Sequence, residues 1–267
     1  MNAPLGTWLS GVRIAVTRAG ERGSPLADAL RRVGASVHEL PLTRIEALNP
    51  APLAAAVAGL AGYDWILLTS VNAVEFLARA VQQGHADAVM ATRRLAVVGV
   101  ATANAVEAQG WRTPTVHPER AQAEGMLDAM ASRIDVDGAR MLYPSAAGAR
   151  DVLPDGLRAL GAEVDVVATY RSAPDAEGQR RLLALVEAGE LDLVAVAAPS
   201  AIDALLDALP AEYARRLPVT CIGPVTARAA RMAGFPVAVE SSAATMEGWV
   251  KSLVTAYGGG RIAPPRS

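Results

Sequence analysis

Short apolar runs alternate with longer segments whose apolar positions recur every three or four residues, and the alternation continues along the chain. The first run, 12–16, predicts a strand. Segment 24–33 places Leu26, Leu30 and Val33 on one helical face, and Gly34 stops it. A strand at 36–40 and a helix at 52–60 follow. The unbroken apolar run 65–68 predicts a strand buried on both faces, and 71–81 a helix. Then come a strand at 95–98, a helix at 101–109 closed by Gly110, a short strand at 115–117 and a helix at 123–131. From residue 140 the order restarts: strand 140–143, helix 152–160 capped by Gly161, strand 164–170, helix 179–187, strand 193–197 and helix 201–209. Strand 219–222, helix 226–232 with Gly234 as cap, strand 237–239 and helix 246–257 complete it. Buried strands alternating with helices predict α/β architecture with parallel sheets covered on both faces.

The restart is an internal repeat. GVRIAVTRAGERGSPLADALRRVGASVHEL aligns with GARMLYPSAAGARDVLPDGLRALGAEVDVV, and YDWILLTSVNAVEFLARAV with LDLVAVAAPSAIDALLDAL. LAVVGVATANAVEAQG matches PVTCIGPVTARAARMAG, and Glu124-Gly125 matches Glu247-Gly248. The separation stays between 123 and 128 residues throughout. A duplication this regular predicts two similar α/β domains with a pseudo-symmetric cleft between them as the ligand site. Taken alone it suggests a linear split near residue 135.

Composition narrows the chemistry. The 267 residues suit two domains, 52% are hydrophobic, and the formal net charge of −2 lacks the basic excess of a nucleic-acid binder. The one cysteine, Cys221, lies in a predicted strand and reads as core, which excludes an internal disulfide and a cysteine-rich metal site. His38, His85 and His117 lie far apart without ligand spacing, so no metal is expected. No apolar run reaches a membrane span, and the start lacks a signal peptide's pattern, so a cytoplasmic protein is expected. Residues 258–267, with no apolar period, are expected to be a disordered tail.

Ligands of open parallel sheets bind beyond the strands' carboxyl ends. Small polar or glycine-bearing turns stand there: Thr17-Arg18, Thr69-Ser70-Val71-Asn72, Gly99-Val100-Ala101-Thr102, Ser145-Ala146-Ala147-Gly148, Pro199-Ser200 and Gly223-Pro224-Val225-Thr226. Each precedes a predicted helix, whose free N–H groups attract anions, although serine, threonine and asparagine there are also ordinary caps. GxGxxG, GxxxxGK[ST] and Gly-x-Ser-x-Gly are absent, which weakens the nucleotide and serine-hydrolase readings.

At these turns the chain resembles uroporphyrinogen-III synthases. YDWILLTSVNAVEFL is similar to that family's "DWIxFTSxNAV" segment and LAVVGVATANAVEAQG to its "AVGxxTAxAL…G" segment. LYPSAAGARDVLPDGLRALGAEVDVVATYRS and CIGPVTARAARMAGFPVAVESSAATMEGWVKSL resemble its third and last segments, so the likeness runs from about Gly11 to about Leu253. It implies two flavodoxin-like domains, each a parallel sheet flanked by helices, joined by a two-stranded linker. One would be 1–41 plus 173–257 and the other 45–167, with crossings near 40–45 and 168–174 that end in Pro41 and Pro174.

The resemblance also implies a reaction: hydroxymethylbilane, a linear tetrapyrrole with eight carboxylates, loses its hydroxyl as water and closes with ring D inverted. It implies a monomer working without metal or organic cofactor, open to transient contact with the deaminase upstream, and acting on neither nucleic acid nor membrane. A bilobal binding or regulatory protein of the same fold is the competing class. Tyr170 matches the tyrosine proposed to protonate the departing hydroxyl; a phenol keeps its proton at neutral pH. Thr69, Ser70 and Asn72 match the "TSxN" turn, and Thr102 and Thr226 the "TA" turns, with Gly223 beside the latter; all are expected to hold substrate carboxylates. Thr17, Ser145 and Ser200 are further substrate-binding candidates, and Arg18 and Arg150 candidate carboxylate partners. Two departures stand out: Ala197-Ala198 replaces a hydroxyl pair, and Ser145-Ala146 stands where the family often carries a charge.

Overall fold

The computed structural model describes residues 8–17, 24–116 and 123–258. Its strands are β1 Arg13–Val16, β2 Ser36–Glu39, β3 Thr43–Ala47, β4 Trp65–Leu68, β5 Arg94–Val97, β6 Arg140–Ala146, β7 Glu163–Pro174, β8 Leu193–Val196, β9 Val219–Cys221 and β10 Val237–Glu240. They form two five-stranded sheets, in the orders β10-β9-β8-β1-β2 and β3-β7-β6-β4-β5. Every pairing from β10 to β2 is parallel, as are β7 with β6, β6 with β4 and β4 with β5. The all-apolar quartets of β4 and β8 are wholly buried, as interior strands covered on both faces must be.

The chain divides into two compact units, residues 1–44 with 173–267 and residues 45–172. These units do not follow the sequence repeat. In the first, β1 and β2 of the first repeat lie beside β8, β9 and β10 of the second. In the other, β6 and β7 of the second repeat lie beside β4 and β5 of the first, and Val116 extends that sheet by a parallel bridge to Ala96. Each sheet thus takes two leading strands from one repeat and the rest from the other. Strands from both sides of residue 135 share each sheet, so a linear split there does not describe it.

β3 and β7 carry the chain from one unit to the other and lie side by side. Leu48 N–H donates to the Thr169 carbonyl and Asp175 N–H to the Leu42 carbonyl, so the two strands run in opposite directions. Helix Ala176–Glu187 starts directly after this ladder, capped by the Asp175 carboxylate on Glu177 and Gly178 N–H. Its first turn lies against the carbonyl of Pro41, at the only kind of residue, Gly178, that leaves room.

Each sheet separates two apolar layers. In the 45–172 unit, Ile66, Leu68, Leu142 and Tyr170 pack against helices Ala51–Ala58, Val71–Gln83 and Val100–Ala108. Trp65, Leu67, Met141 and Tyr143 pack on the opposite side against helices Ala123–Arg133 and Val152–Ala159. The alternation of strand side chains produces this division.

Several expectations need correction. The strand expected at 140–143 runs on through Ser145 and Ala146, and helix Val152–Ala159 starts six residues after Ala146. β7 runs on to Pro174 because β3 supplies a partner that its own periodicity could not reveal. The strand expected at 115–117 is the single bridge at Val116, with residue 117 outside the described set. Helices Asp87–Met90 and Ala211–Ala214 are one turn each, too short to leave a periodic signal. The tail expected at 258–267 lies outside the described residues except for Gly258, which ends helix Met246–Gly258. Among the described residues no helix is long and apolar enough to cross a membrane.

Candidate functional site

In the 45–172 unit, the turn after β4 gathers four hydroxyls. Ser70 ends the strand's extended backbone (φ −155°, ψ 155°) and caps helix Val71–Gln83, its Oγ accepting from Ala73 N–H at 3.1 Å. The same Oγ shares a 2.8 Å hydrogen bond with the Tyr170 hydroxyl. The neighbouring Thr69 Oγ1 shares one of 3.2 Å with the Tyr143 hydroxyl. The tyrosines come from β7 and β6 on opposite faces of the sheet, and the consecutive residues Thr69 and Ser70 turn one to each.

The Tyr170 ring is stacked on Phe76, with centroids 5.6 Å apart and planes 7° apart, and the Arg79 guanidinium covers the other ring of this pair at 5.5 Å. Phe76 lies in the second turn of the helix that Ser70 caps. Burial pushes the Tyr143 phenol above its ordinary ionisation range, so it remains a protonated group at neutral pH. Asn72 is half-buried in the first turn of the helix. Thr102 is buried in the first turn of helix Val100–Ala108, and the exposed group at that entry is Val100. The entry itself is set by Gly99 at φ 81°, ψ 151°, a conformation open essentially to glycine. Arg150 pairs with Glu124 at 2.7 Å, and the Glu124 backbone N–H, with this guanidinium second, lowers the carboxyl's pKa. Ser145 is buried in β6, and its carbonyl accepts from the Thr169 hydroxyl at 3.1 Å.

The carboxyl end of the other sheet differs in character. A cavity of about 390 Å³ opens beyond β1, β8 and β9, lined mainly by Val16, Ala195, Ala197, Ile222, Met246 and Trp249. Trp249 is buried and donates through Nε1 to the Thr220 hydroxyl at 2.8 Å. Thr17 also borders the cavity, but its hydroxyl donates to the Ala195 carbonyl at 3.3 Å and so ties β1 to β8. Ser200 is exposed in the first turn of helix Pro199–Ala208. Gly223 has extended backbone before helix Pro224–Met232, and Thr226 is buried behind the exposed Val225. Arg18 lies outside the described residues. Cys221 is buried, and desolvation pushes its thiol up to about 11, as suits a core residue.

The two ends occupy equivalent places in the duplicated pattern. Thr69 and Ser70 correspond to Ala197 and Ala198, Tyr143 to Val16, and Tyr170 to Thr43. Ala198 holds φ −152° and ψ 156°, close to Ser70, yet carries no side-chain cap. The backbone of the turn survived the duplication in both units; the hydroxyls stand in one.

A separate polar cluster lies at the amino ends of β4 and β6. The Tyr63 hydroxyl donates to the Asp165 carboxylate at 2.7 Å, and Arg140 bonds the same oxygen at 2.8 Å while stacking over the Tyr63 ring. Burial, then the bond to Asp165, pushes the Tyr63 phenol up to about 12. Among the described residues no group of three histidine, cysteine, aspartate or glutamate side chains is placed to hold a metal.

Sequence reasoning missed Tyr143, Phe76 and Arg79. The one available signal for Tyr143 was its place at the end of the apolar run RMLY, which does not say that β6 lies beside β4.

A family model described as uroporphyrinogen-III synthase HemD matches residues 24–251. The uroporphyrinogen-III synthase of Synechococcus elongatus is 31% identical over 92% of this chain and 95% of its own. A crystal structure of a mutant uroporphyrinogen III synthase from Thermus thermophilus superposes with a TM-score of 0.67 at 20% identity, over 93% of this chain and 99% of that one. The uroporphyrinogen-III synthetase of Helicobacter pylori gives a TM-score of 0.61 at 14% identity, over 91% and 99% respectively. At these identities the two structures speak for the fold alone.

Proposed function

The chain belongs to the uroporphyrinogen-III synthase family, and from that premise we propose that it closes hydroxymethylbilane to uroporphyrinogen III, with Tyr170 as the acid. The observation that supports this most directly is the Ser70–Tyr170 hydrogen bond at the carboxyl end of β4. It sits in the turn that carries the family's "TSxN" pattern. Ser70 Oγ accepts from Ala73 N–H and can donate its own proton to the Tyr170 oxygen, which leaves the phenol O–H for the substrate, while stacking on Phe76 orients the ring. The substrate hydroxyl takes that proton, the C–O bond breaks, and water leaves an azafulvene cation. The substituted carbon of ring D attacks it. Fragmentation and reclosure then invert the ring, and the proton released as the pyrrole regains aromaticity restores the phenol. The enzyme's task is to select the attacking carbon before the free chain closes unrearranged.

The eight carboxylates of the substrate need donors. In the 45–172 unit, Asn72 and the first-turn amides of helices Val71–Gln83 and Val100–Ala108 offer them, and helices Pro199–Ala208 and Pro224–Met232 of the other unit carry first-turn amides of the same kind. The missing hydroxyls at Ala197 and Ala198 leave this scheme intact, because the Ala198 backbone angles match those of Ser70 and so aim the following amides alike. The domain assignment that accompanies this reading is 1–41 with 173–257, and 45–167.

The test supplies the protein with freshly made hydroxymethylbilane, oxidises the products and separates the isomers. Isomer III is expected, and Tyr170→Phe is expected to slow its formation at least several-fold. Isomer I at the rate of a protein-free control would refute the activity. Unchanged turnover in Tyr170→Phe would remove the acid role alone.

A further inference from the structure

We propose that Tyr143 is a positioning residue of this site: through its hydrogen bond to Thr69 it holds the Thr69–Ser70 turn, and with it the Tyr170 hydroxyl, in one arrangement. The proposal rests on the synthase reading above and adds a residue to it.

The first support is geometric. Two tyrosines from adjacent strands, one on each face of the sheet, reach consecutive hydroxyls of a single turn, at 3.2 Å and 2.8 Å. Tyr143 is 4% exposed, whereas Thr69 is only half-buried. A ligand at the turn therefore meets Thr69, and Tyr143 acts through it. With its phenol protonated, Tyr143 can share the bond with Thr69 in either sense and remain a neutral group in the core.

The second support is the duplication. The fold does not need these hydroxyls, because the equivalent turn keeps the same backbone with Ala197 and Ala198, and Val16 fills the place of Tyr143. Burying polar groups at a sheet end carries a desolvation penalty that an alanine–valine pair avoids. The four hydroxyls satisfy each other instead, as two bridges fixing the two sides of one turn. With the backbone set by the fold, the two bridges fix the side chains of Thr69 and Ser70, so neither hydroxyl turns elsewhere. That is the requirement for an acid that must protonate a flexible substrate before the free chain closes, since a misplacement of about 1 Å costs roughly a hundredfold in rate.

The experiment compares Tyr143→Phe, Thr69→Val and the double variant with the wild type on hydroxymethylbilane, measuring kcat, KM, the ratio of isomers III and I, and the melting temperature. Each single variant is expected to lower kcat by roughly three- to tenfold with KM changed less than about twofold. The share of isomer I should rise, because slower catalysis lets unrearranged closure compete. The double variant should match Thr69→Val, since Tyr143 acts only through the Thr69 hydroxyl. A residue that served stability alone would lower the melting temperature and leave the kcat of the folded protein and its isomer ratio as in the wild type; that result overturns the proposal. If Tyr143→Phe does not fold, Thr69→Val leaves the ring in place and carries the test: a lowered kcat at unchanged KM supports the proposal, and a raised KM at unchanged kcat shows a substrate contact only and overturns it. A wild-type protein that yields isomer I at the uncatalysed rate refutes the synthase reading instead, so the two failures are distinct.

Discussion

Ser70 has two partners through one oxygen, and this makes a stability cycle with Tyr170 informative. Ser70→Ala removes the cap on Ala73 N–H, worth about 1 kcal/mol, and the bond to the Tyr170 hydroxyl, worth about another 1 kcal/mol. Tyr170→Phe removes only the second and leaves the ring stacked on Phe76, so it should cost about 1 kcal/mol. Because the shared bond can be lost only once, the double variant should cost about 2 kcal/mol rather than about 3, a coupling of about 1 kcal/mol. Ala198 shows that the turn keeps its shape without a side-chain cap, so Ser70→Ala should fold and lose stability without losing structure. Urea unfolding reads the three differences, and Ser70→Ala should melt roughly 4–8 °C below the wild type. Amide exchange in the first turn of helix Val71–Gln83 should accelerate in Ser70→Ala and not in Tyr170→Phe, since only the former loses the cap. Additive costs in the double variant would show that the two hydroxyls do not share a bond in solution.

Gly178→Ala tests the packing beside the two crossings. Alanine normally gains up to about 1 kcal/mol over glycine inside a helix, but here the new Cβ is driven into the Pro41 carbonyl, backbone that cannot turn aside. The expected result is a net loss of about 1–3 kcal/mol in urea unfolding, and a stabilised protein would refute the close approach. Tyr63 predicts an alkaline limit. Its folded pKa of about 12 lies above the ordinary value of 10.0, so its contribution is complete below pH 10 and is lost as pH rises towards 12. Ultraviolet titration compared with Tyr63→Phe should assign a late ionisation to Tyr63, Asp165→Asn should bring it down, and a normal titration of Tyr63 would refute the buried contact.

Much of the architecture was legible in the order of residues because the information is local. The runs at β4 and β8, the glycine stops at Gly34 and Gly161 and the glycine-bearing turns all express preferences of a few neighbouring residues, and the duplication shows as matched strings. The Ser70 and Thr69 turn could be picked out because a family pattern passes through it, and Tyr170 likewise. Which strand neighbours which is settled by burial and hydrogen bonding between segments some hundred residues apart, and no local pattern encodes it. The exchange of leading strands between repeats, the ladder of β3 with β7, and the approach of Tyr143 to Thr69 all come from that pairing. So does the contrast between hydroxyls at the end of one sheet and an apolar cavity at the end of the other. Sequence alone could list Val16, Ala197 and Trp249 as apolar; only once β1 and β8 lie side by side, with helix Met246–Gly258 packed against them, do those side chains enclose a common space.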